Sequence, residues 1–280
     1  MKRLIVTADD FGASVAVNEA VEQAHRRGIL TCASLMVAGE AAADAVVRAR
    51  AMPKLGAGLH LVLVDGRPVL PPETVPDLVK GDGLFRDDMV RAGVHFYFRP
   101  AVRRQLEAEI AAQFAAFAAT GLPLDHVNAH KHFHVHPTIA SLILKIGRRH
   151  GMRAARAPIE PAATLRQIEH VRGFDLALPW AKLVRRRLRR AGLIVPDQVF
   201  GLAWSGALNK SRLCGLLAHL PEGLTEIYAH PATGPYPGSA PGYDYAGELD
   251  ALTDPLARQL ITRERVALGR FADFTEAQPE

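Results

Sequence analysis

RLIVTADDFGASVAVNEAVEQAHRRG, residues 3–28, decides how the rest of the chain is read. It opens on a short apolar, β-rich run from Leu4 to Ala8 and breaks at Asp9-Asp10-Phe11-Gly12. It resumes as a helical pattern from Ser14 to Arg27 that stops at Gly28, so strand, loop and helix follow in order. The unit recurs downstream. Thr31 to Val37 reads as strand, Ala41 to Ala51 as helix, and Gly56 to Val62 as a strand entered after Pro53. A long helix from Ala101 to Thr120 stops at Gly121-Leu122-Pro123, and a strand from Asp125 to Ala129 follows. Helix from Thr138 to His150, strand near Arg153 to Ala157, helices from Leu176 to Ala191 and Lys210 to Leu220, and strand from Thr225 to Ala229 continue the alternation. A final helix is predicted from Pro255 to Phe271. Strands alternating with helices imply a parallel sheet, and six or seven such units predict an α/β fold, a distorted (β/α) barrel, in one domain covering 1–280.

The segment from Asp65 to Pro100 is too long for an ordinary connection and predicts an insertion with a job such as covering a cleft. His95-Phe96-Tyr97-Phe98 within it reads either as a small core beneath the loop or as an apolar lip for a greasy substrate.

The chain has 280 residues, 49% of them hydrophobic, enough for a full core. Cys32 and Cys214 lie far apart with no metal or disulfide pattern, which fits a reducing cytoplasm. The apolar run before Asp9 is too short for a signal-peptide core, and no run is long enough to span a bilayer. A net charge of +5 invites a nucleic-acid reading. Much of the excess falls in Lys182 to Arg190, where Lys182, Arg185, Arg186 and Arg189 share one helical face and Leu183, Val184 and Leu188 turn away. That basic amphipathic helix is a solvated face or a contact for anionic lipid or a phosphate-bearing partner. The 6% aromatic content and single clustered basic segment argue against an extended nucleic-acid stacking groove.

Twelve histidines are present, and several fall at predicted strand ends: His60, the group His126, His130, His132, His134 and His136, and His230. Asp9 and Asp10 end the first strand. In a parallel barrel the C-terminal strand ends converge, so these residues would meet in one pocket. Two imidazoles and a carboxylate hold a divalent metal while leaving positions open for water and substrate. His130 to His136 alternate, so an extended backbone would point them to one side; His136 before Pro137 opens the next helix, leaving His130, His132 and His134 as candidates. Adjacent aspartates in a strand face opposite ways, but Gly12 permits a sharp turn that brings both carboxylates to the pocket, one for the metal and one for the proton of an attacking water.

These stretches together, TADDFG at 7–12, Val17-Asn18, HRRGILTCASLM at 25–36, LGAGLHL at 55–61, HVNAHKHFHVHP at 126–137 and AHPA at 229–232, resemble the YdjC-like carbohydrate deacetylases, and within them the hopanoid-biosynthesis-associated branch, HpnK. The resemblance covers most of the chain in order. It implies a metal-dependent hydrolase removing the N-acetyl group from an acetylated amino sugar. It matches Asp10, His60 and His130 to ligands of one divalent ion, magnesium or zinc, Asp9 to the general base, and His230 to the residue acting as acid or steadying the intermediate. Arg156, in RAPIE, matches an arginine near the base or substrate, with His132 and His134 as supporting candidates. Two departures stand out: Asn128-Ala129 replaces the usual aspartate-serine, which bears on support for His130, and Cys32 replaces a common serine. The branch implies an N-acetylglucosaminyl group on a hopanoid lipid and a cytoplasmic enzyme peripheral at the inner membrane; a homodimer is admitted but no motif demands it. The rivals are a chitooligosaccharide deacetylase, a barrel phosphoesterase, and a glycolipid-binding barrel without activity.

Overall fold

The computed structural model describes residues 1–170 and 178–274. Its chain order is β1 (Lys2–Phe11), α1 (Val15–Arg27), β2 (Cys32–Leu35), α2 (Ala42–Arg50), β3 (Gly56–Leu61), α3 (Met89–Phe98), α4 (Pro100–Ala119), β4 (Val127–Ala129), α5 (Pro137–Gly147) and α6 (Ala162–Leu165). It continues with α7 (Leu178–Arg190), β5 (Gln198–Phe200), α8 (Lys210–Ala218), β6 (Gly223–Ala229), α9 (Tyr245–Thr253), α10 (Pro255–Arg263) and β7 (Ala267–Leu268). The strands are parallel in the order β4-β3-β2-β1-β6-β5, with β7 beside the start of β1. Leu4, Ile5, Val6 and Ala8 of β1 are fully buried, as a central strand with both faces covered requires. Ser14 Oγ accepts from the Val17 amide and caps α1, whose last turn carries His25, Arg26 and Arg27 at its negative end.

The sheet forms a half-barrel, and isolated contacts carry it round the remaining side. Val127 bridges Ala155, Ala154 bridges Ile194, and the Val199 amide donates to the Ile159 carbonyl. The predicted strand at Arg153–Ala157 is therefore only a pair of bridges: Pro158 and Pro161 flank Ile159 and withhold two amides. The predicted last helix also ends early, at Arg263. Arg265 adopts a left-handed φ of 51°, and β7 then returns to β1. Helix α9 had no counterpart in the sequence reading; Asp244 caps it. The start of the predicted helix at Leu176 lies outside the described residues.

The insertion at 65–100 is folded. Buried Glu109 of α4 accepts from the Val69 and Leu70 amides, and Phe85 is fully buried. The aromatic run divides between the two readings. Phe96 packs on Phe133 at 5.5 Å, whereas Tyr97 is 50% and Phe98 72% exposed. On α7 the predicted division needs correction. Val184 and Leu188 are buried, but Leu183 is exposed with the basic residues, and Arg185 and Arg189 bend back to the Val195–Asp197 segment. The cause is local: three C=O and carboxylate acceptors lie within reach of those two guanidinium groups.

Candidate functional site

Both carboxylates of Asp9-Asp10 reach one pocket, but the turn is not made where the sequence suggested. Asp10 itself takes a left-handed φ of 62°, where the pairing of β1 with β2 skips between Ala8 and Phe11; Gly12, at φ 94°, comes only afterwards. A non-glycine residue there carries strain of about 1–3 kcal/mol, which the surrounding structure must hold in place.

Asp10 Oδ1 stands 3.2 Å from His60 Nε2 and 3.2 Å from His130 Nδ1, so ends of β1, β3 and β4 supply one carboxylate and two imidazoles. His60 Nδ1 pairs with Asn128 Oδ1 at 2.7 Å, an acceptor that demands the proton on Nδ1 and leaves the Nε2 lone pair directed at Asp10. Nε2 is buried without a hydrogen-bond partner. A buried imidazole nitrogen without a hydrogen-bond partner, beside a carboxylate, suits a divalent cation as ligand. Charge agrees: of the buried carboxylates, Asp9 and Glu226 share the guanidinium of Arg156, whereas Asp10 has imidazoles as its ion-pair partners. Burial works against ionising Asp10, yet His130 and His60 hold its carboxyl well below the ordinary range; burial likewise opposes a charged His60, while Asp9 and Asp10 raise it. The residues fit a divalent ion.

Asn128 lies opposite His60 in the β3–β4 register. The departure at this position therefore bears on His60, not on His130 as the sequence suggested. Its Nδ2 donates to Asp9 Oδ1 at 3.0 Å and to Ser34 Oγ at 2.8 Å. An amide can accept from His60 and donate to Asp9 at once; a carboxylate could do only the first.

Asp9 is held differently from Asp10. Arg156, fully buried, grips it through Nη1 to Oδ2 at 2.6 Å and Nη2 to Oδ1 at 3.0 Å. Burial alone would raise the Asp9 carboxyl, but Arg156 and His60 take it far below the ordinary carboxylate range. Arg156 is gripped in turn by Glu226 of β6, through Nε at 3.1 Å and Nη2 at 2.8 Å, and its guanidinium lies 4.5 Å from the Tyr228 ring centre. Glu226, absent from the candidate residues, had a readable signal: a charged residue inside the apolar strand Leu224–Ala229.

The histidine run does not stay extended. Residues His130–Val135 form a 3₁₀ turn in which Lys131 and His132 take left-handed φ of 52° and 54°, so the expected alternation is lost. His130 and His132 face the pocket, with His132 Nε2 2.8 Å from the Tyr228 hydroxyl. His134 is buried behind them, beside Val127 and Arg156; burial, then the Arg156 charge, push it down to about 3. His136 turns toward Phe96 and Tyr97. His126 precedes β4 and lies away from the pocket lining.

The pocket encloses about 650 Å³ between this floor and a loop following β6. His230 lines it, with Nδ1 unpartnered and its amide donating to buried Glu248. Tyr228, Tyr236, Tyr243 and Tyr245, four of the chain's five tyrosines, form its wall. The insertion reaches the rim through Asp65, whose carboxylate meets Lys131 Nζ at 2.5 Å. A second hollow of about 340 Å³ shares Asp10, His130 and Tyr236, so the carboxylate–imidazole cluster sits where two cavities meet.

A parallel α/β half-barrel with a carboxylate and two imidazoles at its strand ends, and a second, arginine-bound carboxylate beside them, belongs to the class of barrels built around a polar centre that fits a metal. Residues 3–263 match the sequence pattern of the YdjC-like proteins, and the chain belongs to that family. It is 43% identical over 276 residues to a carbohydrate deacetylase of Brevibacillus brevis, covering 97% of this chain and 99% of the relative. A chitooligosaccharide deacetylase of Proteus mirabilis is 28% identical, covering 97% and 98%. The fold matches the crystal structure of an Enterococcus faecalis protein titled as a candidate cellobiose-phosphate cleavage protein, with a TM-score of 0.76, 24% identity, and coverage of 97% and 98%.

Proposed function

We propose that the protein hydrolyses the N-acetyl group of an acetylated amino sugar, with Asp10, His60 and His130 holding one divalent ion. The observation carrying this is the pairing of an orphaned His60 Nε2, 3.2 Å from Asp10, with an adjacent carboxylate, Asp9, that is excluded from that cluster by Arg156. A bound divalent ion supplies Lewis acidity at the amide carbonyl and acidifies water, the complement a weakly basic carboxylate needs. Asp9 is ionised throughout the working range, and its Oδ2, bonded only to Arg156, receives the proton from water attacking the carbonyl carbon. Arg156 fixes the direction of that oxygen. His230, across the pocket, delivers a proton to the departing amine and helps it leave. His132, kept neutral by burial and by Arg156, holds the Tyr228 hydroxyl in place. Tyr236, Tyr243 and Tyr245 offer ring faces to a sugar.

Acetate release from N-acetylglucosamine oligomers and from an N-acetylglucosaminyl lipid tests the reaction. Phosphate release from phosphosugars in place of acetate would transfer the site to a phosphoesterase, and stoichiometric glycolipid binding without turnover would make it a binding barrel.

Within this class, we propose a lipid-linked substrate, an N-acetylglucosaminyl group on a hopanoid. Besides the family resemblance, one surface supports it. The segment that lines the pocket with His130 and His132 presents Phe133 and Val135 on its other side, where they join Val94, Tyr97, Phe98 and Trp180 in an exposed apolar hollow. Exposed Lys182, Arg186 and Arg190 of α7 lie beside Leu183 and Pro179 on the adjoining surface. Aromatic and aliphatic side chains flanked by cations suit a bilayer containing anionic lipid, with the protein peripheral to it; among the described residues no helix is long and apolar enough to cross one. Co-sedimentation with phosphatidylglycerol vesicles should fall on Lys182/Arg186/Arg190→Gln and on Phe98/Trp180→Ser. Indifference of the wild type to such vesicles would leave soluble chitooligosaccharides as the substrate class.

A further inference from the structure

Behind Asp9, away from the pocket, runs a buried chain of side chains that the proposed reaction does not use. Ser34 Oγ donates to Asp9 Oδ1 at 3.2 Å. The same oxygen lies 3.0 Å from His126 Nε2, and His126 Nδ1 lies 3.0 Å from Asp125 Oδ2. Asp125 also accepts from the Ala272 amide at 3.0 Å and from the Cys32 thiol at 3.4 Å. Burial pushes that thiol up, so Cys32 acts as a donor and not as a thiolate ligand. Ser34 and His126 are fully buried.

The space for this chain is made by the sequence. Ser34 is opposite Gly58 across the β2–β3 ladder. A Cβ on Gly58 would stand 2.4 Å from the His126 ring, and one on Gly56 would stand 2.7 Å from Asp125 Oδ2. Both strand glycines, which weaken β3 for want of a side chain, are explained by the two side chains lying over them. Phe271 closes the other face of the His126 ring, stacked at 4.6 Å. His126 is therefore clamped in one orientation.

Ser34 has one proton and two claimants, Asp9 and His126. Asn128 already donates to its oxygen. If the Ser34 proton goes to Asp9, only a lone pair remains for His126, so Nε2 must carry hydrogen; Nδ1, facing the Asp125 carboxylate, must carry hydrogen too. We infer that Asp125 and His126 are positioning residues which present an Nε2–H to Ser34 and thereby commit the Ser34 hydroxyl to Asp9. This rests on the reading of Asp9 as the proton acceptor. Ser34, Asn128 and Arg156 then hold Asp9 Oδ1 from three directions, while Oδ2 has one hydrogen-bond partner among the described residues, Arg156.

The test is a double-mutant cycle on the metal-loaded enzyme, with Ser34→Ala, His126→Phe and the pair. A hydrogen bond to a charged group contributes about tenfold to a hundredfold, so each single variant should lose about that much kcat, with KM and zinc affinity unchanged. Because His126 acts through Ser34, the double variant should be no slower than the slower single one. His126→Gln, whose amide can still donate to Ser34, should recover most of the rate. Additive losses, or wild-type kcat in both single variants while Asp9→Asn is inactive, would overturn the inference and leave the base assignment standing. An active Asp9→Asn would remove both. Should His126→Phe fail to fold, ¹⁵N spectra of the histidines, assigned against His126→Gln, decide the matter. Hydrogen on both ring nitrogens of His126 is expected, and a bare Nε2 overturns it.

Discussion

Asp9 and Asp10 are neighbours in the chain and opposites in the fold. Asp9 is bound by a permanent cation, Arg156, itself bonded to Glu226, and every contact is a directed hydrogen bond inside the protein. Asp10 faces two imidazoles at 3.2 Å, one of which has a bare buried nitrogen. The first carboxylate is paired with a fixed cation of the chain, and the second sits in a donor set that fits a divalent ion. The difference shows how one turn of backbone, made at Asp10 with φ 62°, places two chemically identical side chains in separate environments.

Several substitutions should break this contrast or sharpen it. Asp9→Asn should lower kcat by about 10²–10⁴-fold, the usual contribution of a positioned base, while calorimetric titration with zinc or magnesium still shows one ion bound. Asp10→Asn should give the reverse order of events, with binding of the ion lost first. Arg156→Met would leave Asp9 and Glu226 buried without their partner and should reduce stability by about 3–5 kcal/mol in urea denaturation. Adding Asp9→Asn to that variant should recover part of the loss; no recovery would mean the two are not energetically coupled. Asn128→Leu removes the acceptor that orients His60, and should weaken ion binding by about 10–100-fold with a much smaller effect on folding.

The smallest effect concerns His134, which lies on the arginine side of the contrast. Its folded value is about 3, depressed by burial and by Arg156, against 6.5 for the free side chain. The unfolded chain therefore binds a proton that the folded one refuses. The stability His134 contributes is complete above pH 6.5 and is lost as pH falls toward 3, amounting to about 2 kcal/mol at pH 5. His134→Met should flatten the fall in urea midpoint between pH 7 and 5 by that amount, and an unchanged slope would show that His134 is protonated without penalty.

Much of the site could be read from the sequence because parallel strand ends converge: Asp9, Asp10, His60 and His230 lay at the ends of separate predicted strands. Which aspartate meets the guanidinium and which the imidazoles could not be read from spacing, since Arg156 arrives from a distant segment of the chain. The run from His130 to His136 misled for a different reason. Left-handed backbone at Lys131 and His132 has little sequence mark, neither residue being glycine or asparagine and histidine being only modestly favoured there. Asn128 was noticed but tied to the wrong histidine, because cross-strand register is invisible within one strand. The strand at Arg153–Ala157 shrank to single bridges before Pro158, which has no amide to continue the ladder, and the overlong last helix failed where Arg265 turned the chain.

The thin side of the barrel gives Arg156 a second task. Beyond Val127 the wall is carried by single bridges at Ala155, Ala154 and Ile194, and Arg156 is the next residue along. From there its guanidinium reaches across the interior to β1 through Asp9 and to β6 through Glu226, lacing the weakest stretch of wall to the strongest. The same guanidinium that grips Asp9 thus also ties three parts of the barrel wall together.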